Sequence, residues 1–240
     1  GLVDMIVADL PIGVLYVLAI TSLGVYGIVM AGWASNNKYS FLGGLRASAQ
    51  MVSYEVALGL SLVPVFMLAG NVTLTQIVWT QQQELGIWLA FPLGLSFMFF
   101  VISAFAETNR LPFDVAEAES ELVTGYHTEY SSMKFALFFM AEYMAMVTGA
   151  MLIATLFLGG WQIPWVSGDA LREMVGPIPT ALIQVGTFTA KVVGLLWLFI
   201  WVRWTLPRFR YDQLMDLGWK TFLPLALANV FVTALVLYLL

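Results

Sequence analysis

The chain has 240 residues, 60 % of them hydrophobic and 10 % charged, with a formal net charge of −5 and a mean hydropathy of +0.86. Soluble domains carry charge on about a quarter of their residues, so this composition describes an integral membrane protein, and its acidic balance argues against nucleic-acid binding, which asks for basic patches. With no cysteine and a single histidine, His127, the chain alone cannot supply thiolate clusters, iron–sulfur ligation or bis-histidine haem.

A spanning helix needs roughly 20 apolar residues. Runs nearly free of charge predict helices near 10–32, 47–69, 86–106, 133–158 and 221–240, and a further one near 181–204 is interrupted by Lys191, with Arg203 at its end. The expected fold is therefore all-α, a polytopic bundle of six transmembrane helices in one domain over 1–240, with an acidic loop at 107–132. Pro64 lies deep enough in its run to kink it, whereas Pro92 and Pro224 sit near helix beginnings, where a missing N–H costs little. The chain starts at Gly1 without a charged leader, so no secretory signal is expected and the natural beginning is expected to lie upstream.

The connections alternate in charge. The first, third and fifth hold Lys38, Arg46, Arg110, Lys134, Arg203, Arg208, Arg210 and Lys220, against Arg172 alone in the second and fourth. The positive-inside rule places the odd connections on the inner side. Trp33, Trp204 and Trp219 then fall at inner boundaries and Trp79, Trp88, Trp161 and Trp165 at outer ones, as interfacial anchoring predicts.

Three ionisable residues interrupt the apolar spans. Counting about 1.5 Å per residue from the predicted helix starts puts Glu55 and Glu142 roughly 12 and 14 Å deep from the inner side, and Lys191 about 15 Å deep from the other. All three are thus expected at one level near mid-membrane. The plain reading is a salt bridge that fastens helices; but two carboxylates and one amine do not neutralise, which favours a proton relay in a hydrated pocket.

The loop between the third and fourth helices adds Glu107, Asp114, Glu117, Glu119, Glu121 and Glu129. Asp114 followed by Glu117 fits an N-cap with an acid at the third position, which predicts a short helix from Val115 with Asp114, Glu117 and Glu121 on one face. An acidic run is ordinarily a solvated surface. Here it lies beside Arg110 and leads into the helix carrying Glu142, so a charged cavity that conducts protons is the stronger reading. His127, one histidine without partners, is expected to be an ordinary loop residue rather than a metal ligand. The Phe97–Phe100 and Phe135–Met146 stretches suit lipid contact or packing, and would also suit the walls of a tunnel for an isoprenoid tail.

Several ordered motifs carry a resemblance: Gly44-Leu-Arg-Ala-Ser-Ala-Gln50 with Ser53-Tyr-Glu55, Ala106-Glu-Thr-Asn-Arg-Leu-Pro-Phe-Asp114, Glu117 through Tyr130, Phe138-Phe-Met-Ala-Glu-Tyr143, and Leu206-Pro-Arg-Phe-Arg-Tyr-Asp-Gln213. Across essentially its whole length the chain resembles the family of the H subunit of bacterial NADH-quinone oxidoreductase, the counterpart of mitochondrial NADH dehydrogenase subunit 1 in respiratory complex I. The resemblance implies eight spanning helices in the full protein, of which this chain holds the last six. It implies a place in the membrane arm of a proton-pumping translocase, at the junction with the peripheral arm, where quinone leaves the bilayer to be reduced by electrons from neighbouring subunits.

On the same basis Arg46, Arg110, Arg203 and Arg208 are expected to line the quinone cavity. Glu55, Glu107, Asp114, Glu117, Glu119, Glu121, Glu129, Glu142 and Lys191 are expected along a proton path. No covalent or metal-bound cofactor is expected; quinone is a substrate shared with neighbours. The expected partners are other membrane-arm subunits, the quinone-site subunits of the peripheral arm, quinone and the lipid bilayer, in the bacterial inner membrane or, alternatively, the mitochondrial one. A homologous subunit of a membrane-bound hydrogenase, a stand-alone ion-coupled transporter and a purely structural anchor are the other readings.

Overall fold

The computed structural model describes residues 8–115, 123–163, 166 and 168–239. Among these the chain is helical, with turns and short irregular connections and no strand. The first apolar run forms α1 (Gly13–Ser22) and α2 (Gly24–Ala34), separated by a break at Leu23. α3 (Lys38–Ala69) is followed by α4 (Leu74–Thr80), a π-helical turn at Gln81–Leu85 and α5 (Gly94–Glu107). Then come α6 (Ser132–Phe157), the short α7 (Gly168–Val175), α8 (Pro177–Thr205) and α9 (Tyr211–Leu239), whose early part includes a π-helical turn at Leu217–Phe222.

Among the described residues, five helical stretches are long and apolar enough to cross a bilayer: Gly13–Ala34, Lys38–Ala69, Ser132–Phe157, Pro177–Thr205 and Tyr211–Leu239. The predicted third span is built differently. α5 has 14 residues, about 21 Å of helix against a hydrocarbon core of about 30 Å. Gly86, at φ 65°, ends the π turn, and Pro92, without an N–H, lies two residues before α5. The irregular leg 86–93 is admissible because protein groups satisfy its backbone: Leu89 N–H donates to Gln81 Oε1 at 3.1 Å and Ala90 N–H to the Phe157 carbonyl at 3.0 Å.

Three helices start earlier than charge-free windows indicate. Asn37 caps α3 by accepting from Tyr39 N–H at 3.0 Å, so the helix begins at Lys38 and carries Arg46 within it. Pro177 opens α8, its missing N–H harmless in the first turn. α9 begins at Tyr211. The extensions of α3 and α9 bear charged residues, which a window for uncharged sequence excludes. Pro64 lies inside α3 without ending it.

α3 is the axis of the bundle. Half of its most apolar window is buried, against 11–17 % for the other four long helices. Tyr54, fully buried, donates from its hydroxyl to the Leu214 carbonyl at 3.1 Å and packs against Phe113 and Phe222. Lipid tails are as apolar as leucine, so close packing and interhelical hydrogen bonds, rather than expulsion from water, hold such helices together. The helices accordingly meet at glycines. A Cβ on Gly32 would sit 2.8 Å from the Ser40 carbonyl oxygen, and one on Gly44 would sit 3.1 Å from that of Ile28, so α2 and α3 cross almost backbone to backbone.

Gly43 is tighter still, because a Cβ there would lie 2.8 Å from Gly125 Cα and 2.9 Å from Tyr126 N. Backbone atoms have no rotamer to escape into. Gly43→Ala is therefore expected to cost about 1–3 kcal/mol, the usual range for overpacking, and to displace the turn that holds Tyr126; a thermal melt of the purified protein checks it.

The contacts sort into two poles, as the alternating connections require. At one, Thr73 meets Pro11, Gln81 meets Leu156, and Thr187 donates to the Trp161 carbonyl. At the other, Asn37 meets Glu129, Tyr130 meets Ala31, and Phe209 N–H donates to the Pro112 carbonyl. The second pole gathers the basic connections and is the inner pole below.

Candidate functional site

At the inner pole the chain leaves α5 through Thr108–Asp114 and is folded back onto the bundle. Asn109 takes φ 50°, a left-handed conformation that asparagine tolerates better than most residues. Gln50, buried on α3, fixes the segment by donating from Nε2 to the carbonyls of Ala106 at 2.9 Å and Phe113 at 2.8 Å. Arg110 is thereby carried inward rather than into solvent.

Arg110 Nη2 lies 2.9 Å from Glu142 Oε2, with the two side chains only 10 % and 9 % exposed. The guanidinium also stands 4.5 Å over the Tyr143 ring and 5.3 Å over that of Phe139. Tyr126 donates its hydroxyl to Glu142 Oε1 at 3.1 Å. Both oxygens of one carboxylate are thus engaged, one by a cation and one by a phenol. Next to Tyr126, His127 is 3 % exposed among Phe135, Phe138 and Phe139. Burial, and then the nearby Arg110 charge, push its pKa down to about 4, so it is neutral at pH 7.

Two other carboxylates meet nearby. Glu107, at the end of α5, is hydrogen-bonded by the Thr21 side chain and lies close enough to Glu55 of α3 to feel its charge; the Ser22 hydroxyl bonds Glu55. Glu107 and Arg110 are three residues apart, so one short segment faces both acids: Glu107 feels the charge of Glu55, and Arg110 pairs with Glu142. Farther along, Arg208 Nη2 donates to Asp114 Oδ2 at 2.7 Å, tying the connection after α8 to the same loop.

A sequence profile described as NADH dehydrogenase matches residues 2–234. The chain belongs to the NADH dehydrogenase family. It is 57 % identical over 230 residues to the NADH-quinone oxidoreductase H subunit 2 of Koribacter versatilis, covering 95 % of this chain and 63 % of that protein. It is 50 % identical over 235 residues to NADH-quinone oxidoreductase subunit 8 of Rhodothermus marinus, covering 96 % and 69 %. Against the NADH-quinone oxidoreductase H subunit of Rhodospirillum centenum it is 52 % identical over 233 residues, covering 97 % and 66 %. The chain thus spans roughly two thirds of the length of these curated relatives.

In this NADH dehydrogenase family chain the residues singled out from sequence separate into groups. Arg110, Asp114, Glu142 and Arg208 are joined by ion pairs, and Glu55 and Glu107 by their shared neighbourhood. Arg46 stands 5.5 Å over the Tyr211 ring. Glu129 accepts from Asn37 Nδ2 at 2.7 Å on an exposed surface of the same pole. Arg203 is half-buried in the last turn of α8. Glu117, Glu119 and Glu121, with the short helix expected from Val115, lie outside the described residues, and Val115 itself is in a turn.

Lys191 departs from expectation. It does not meet Glu55 and Glu142 at mid-membrane; its Nζ donates to the carbonyls of Leu158, Gly160 and Gln162 at 2.7, 2.9 and 2.6 Å, beside the Trp88 ring. Those carbonyls follow the outer end of α6, about 15 or more residues beyond Glu142, which is about 22 Å along a helix. The physical reason is that a lysine's long stem carries its charge away from its own Cα toward polar groups. Gln50, Tyr126, Thr21 and Ser22 carry no charge to mark them in the sequence, and His127, expected as an ordinary loop residue, lies buried in a short turn among three phenylalanines.

Proposed function

We propose that the chain is a membrane-arm subunit of a proton-pumping NADH:quinone oxidoreductase in the bacterial inner membrane, contributing to the quinone cavity and to the coupling of quinone reduction to proton translocation. The observation that carries this reading is the buried Arg110–Glu142–Tyr126 cluster, joined through one short segment to Glu107 and Glu55, in a chain of this family. Arg46, Arg110, Arg203 and Arg208 present cations at one pole to a polar quinone head group. Reducing a quinone to a quinol consumes two electrons and two protons. The electrons come from neighbouring subunits, since this cysteine-free chain supplies no thiolate ligands.

The chain's own contribution is electrostatic. Any change of charge at the head group alters the field on Arg110 and hence the proton affinity of Glu142 and its neighbours. Acids that trade protons in response give the membrane arm its signal. Partner subunits cover the inner connections, and the exposed faces of α6, α8 and α9 meet lipid or further membrane subunits.

Glu142→Gln and Glu107→Gln, made separately in the assembled complex, keep shape and hydrogen-bonding oxygen while deleting the titrating group. Each is expected to lower quinone-reductase turnover and proton uptake into vesicles by about a hundredfold, the lower range for a positioned acid–base group. Wild-type rates in both variants would overturn the reading.

A further inference from the structure

The break between α1 and α2 places two hydroxyls side by side at two acids from different helices. Ser22 is bonded to Glu55 of α3 and Thr21 to Glu107 at the end of α5. Both hydroxyls also reach one acceptor, the Leu18 carbonyl, at 2.8 Å from Ser22 Oγ and 2.9 Å from Thr21 Oγ1. A hydroxyl has one proton to donate and two lone pairs with which to accept. Neither Ser22 nor Thr21 can therefore donate to Leu18 and to its carboxylate at the same moment.

Each hydroxyl has two settings. When its acid is ionised and can only accept, the hydroxyl proton turns to the carboxylate. When the acid is protonated, the acid's own O–H donates to the hydroxyl oxygen, and the hydroxyl proton turns to Leu18. Both settings satisfy every group with the heavy atoms in place. The carbonyl has two lone pairs and accommodates one hydroxyl, both or neither.

We propose that Thr21 and Ser22 are positioning residues for proton exchange between Glu55 and Glu107, a switchable hydroxyl pair that keeps each acid hydrogen-bonded in both of its protonation states. A proton leaving Glu55 for Glu107 makes the first an anion and the second neutral, with the total charge of the two unchanged. Ser22 then turns toward its acid as Thr21 turns away. The counter-rotation removes the cost of leaving a half-buried carboxyl without a partner at either end of the exchange. The assignment rests on the proton-coupling reading above.

The test uses the complete complex in proteoliposomes with Ser22→Ala, Thr21→Val, the double variant, and the hydroxyl-keeping exchanges Ser22→Thr and Thr21→Ser. Turnover is counted per assembled complex, and the infrared carbonyl band of protonated carboxyl groups is followed on reduction. The double variant is expected to lose turnover about tenfold, the effect of one hydrogen bond to a charged group, and to shift that band. The hydroxyl-keeping exchanges are expected to restore both. Wild-type turnover in the double variant, with Glu55→Gln and Glu107→Gln inactive, would overturn the hydroxyl assignment and leave the coupling reading standing. Full activity in the two Gln variants would remove the coupling reading and the assignment with it. Less assembled complex with unchanged turnover and band would show that the hydroxyls only hold α1 to α3, and would also overturn the proposal.

Discussion

Arg110→Met is expected to destabilise the protein by about 3–5 kcal/mol, whereas Arg110→Met combined with Glu142→Gln is expected to recover most of that loss and none of the activity. The asymmetry follows from burial. With the two side chains 10 % and 9 % exposed, removing the guanidinium alone leaves a carboxylate whose charge is no longer balanced by the cation 2.9 Å away, and breaking a buried pair from one side costs about the stated amount. Removing both charges is frequently neutral, because the desolvation of each ion disappears with it. Gln is chosen over Leu because its amide oxygen still accepts from the Tyr126 hydroxyl, so that interaction, about 1 kcal/mol, is kept out of the comparison. Met preserves most of the stem that lies over Tyr143 and Phe139.

Thermal midpoints of the purified complex measure the first half of this expectation, and quinone-reductase turnover per folded complex the second. A stable but inactive double variant separates the electrostatic role of the pair from its structural one. If Arg110→Met were as mild as a surface substitution, about 0.5 kcal/mol or less, the buried ion pair would not be what organises the inner pole.

The same pair shows how far the amino-acid sequence is legible. Composition and charge-free runs located the apolar centres of the bundle, because a bilayer imposes one length on every span and tolerates few charges inside it. The ends were harder. Lys38–Arg46 is polar enough to look like a connection, yet Asn37 caps it and the helix runs on to Ala69. The leg before α5 looked spanning because it is apolar, whereas Gly86, Pro92 and the reach of Gln81 across to α6 build it from irregular backbone.

Site residues followed the same division. Charged groups in apolar surroundings announce themselves, so Glu55, Glu107, Arg110 and Glu142 were visible. Their partners were not, since Arg110 and Glu142 meet only after the chain has turned back on itself. Neutral polar residues give no comparable signal: nothing in a serine or threonine within an apolar run distinguishes Thr21 and Ser22, which face acids, from Thr189, which bonds the carbonyl four residues before it. Counting depth along a helix starts from the right place for Glu142, because α6 begins at the expected boundary. The count failed for Lys191, whose charge sits at the end of a flexible stem that reaches the outer turn after α6.

Lys191→Met should therefore behave in the opposite way to the inner acids: a large loss of stability with turnover preserved in whatever complex remains folded. The ammonium donates to three carbonyls between 2.6 and 2.9 Å away, at a turn where Gly159 and Gly160 take φ 70° and 53°. Helix ends leave carbonyls unsatisfied, and at the outer end of α6 this lysine supplies the donors that a following turn of helix would have supplied. Methionine keeps the length of the stem, and so much of its packing beside Trp88, but donates nothing. Each buried carbonyl deprived of its partner costs about 1–3 kcal/mol, so a total of about 3 kcal/mol or more is expected even if relaxation recovers part of it. The loss should appear as a lowered thermal midpoint and as faster proteolysis between residues 158 and 163, the turn that the lysine closes. A relay at Lys191 predicts the reverse, intact stability with turnover reduced. The roughly 22 Å of helix separating this turn from Glu142 makes direct exchange between them untenable, because a proton crossing that span would need intermediate groups that α6 does not offer: from Tyr143 to Phe157 its side chains are apolar except for Tyr143, Thr148 and Thr155, and both threonines are bonded to the carbonyl four residues earlier.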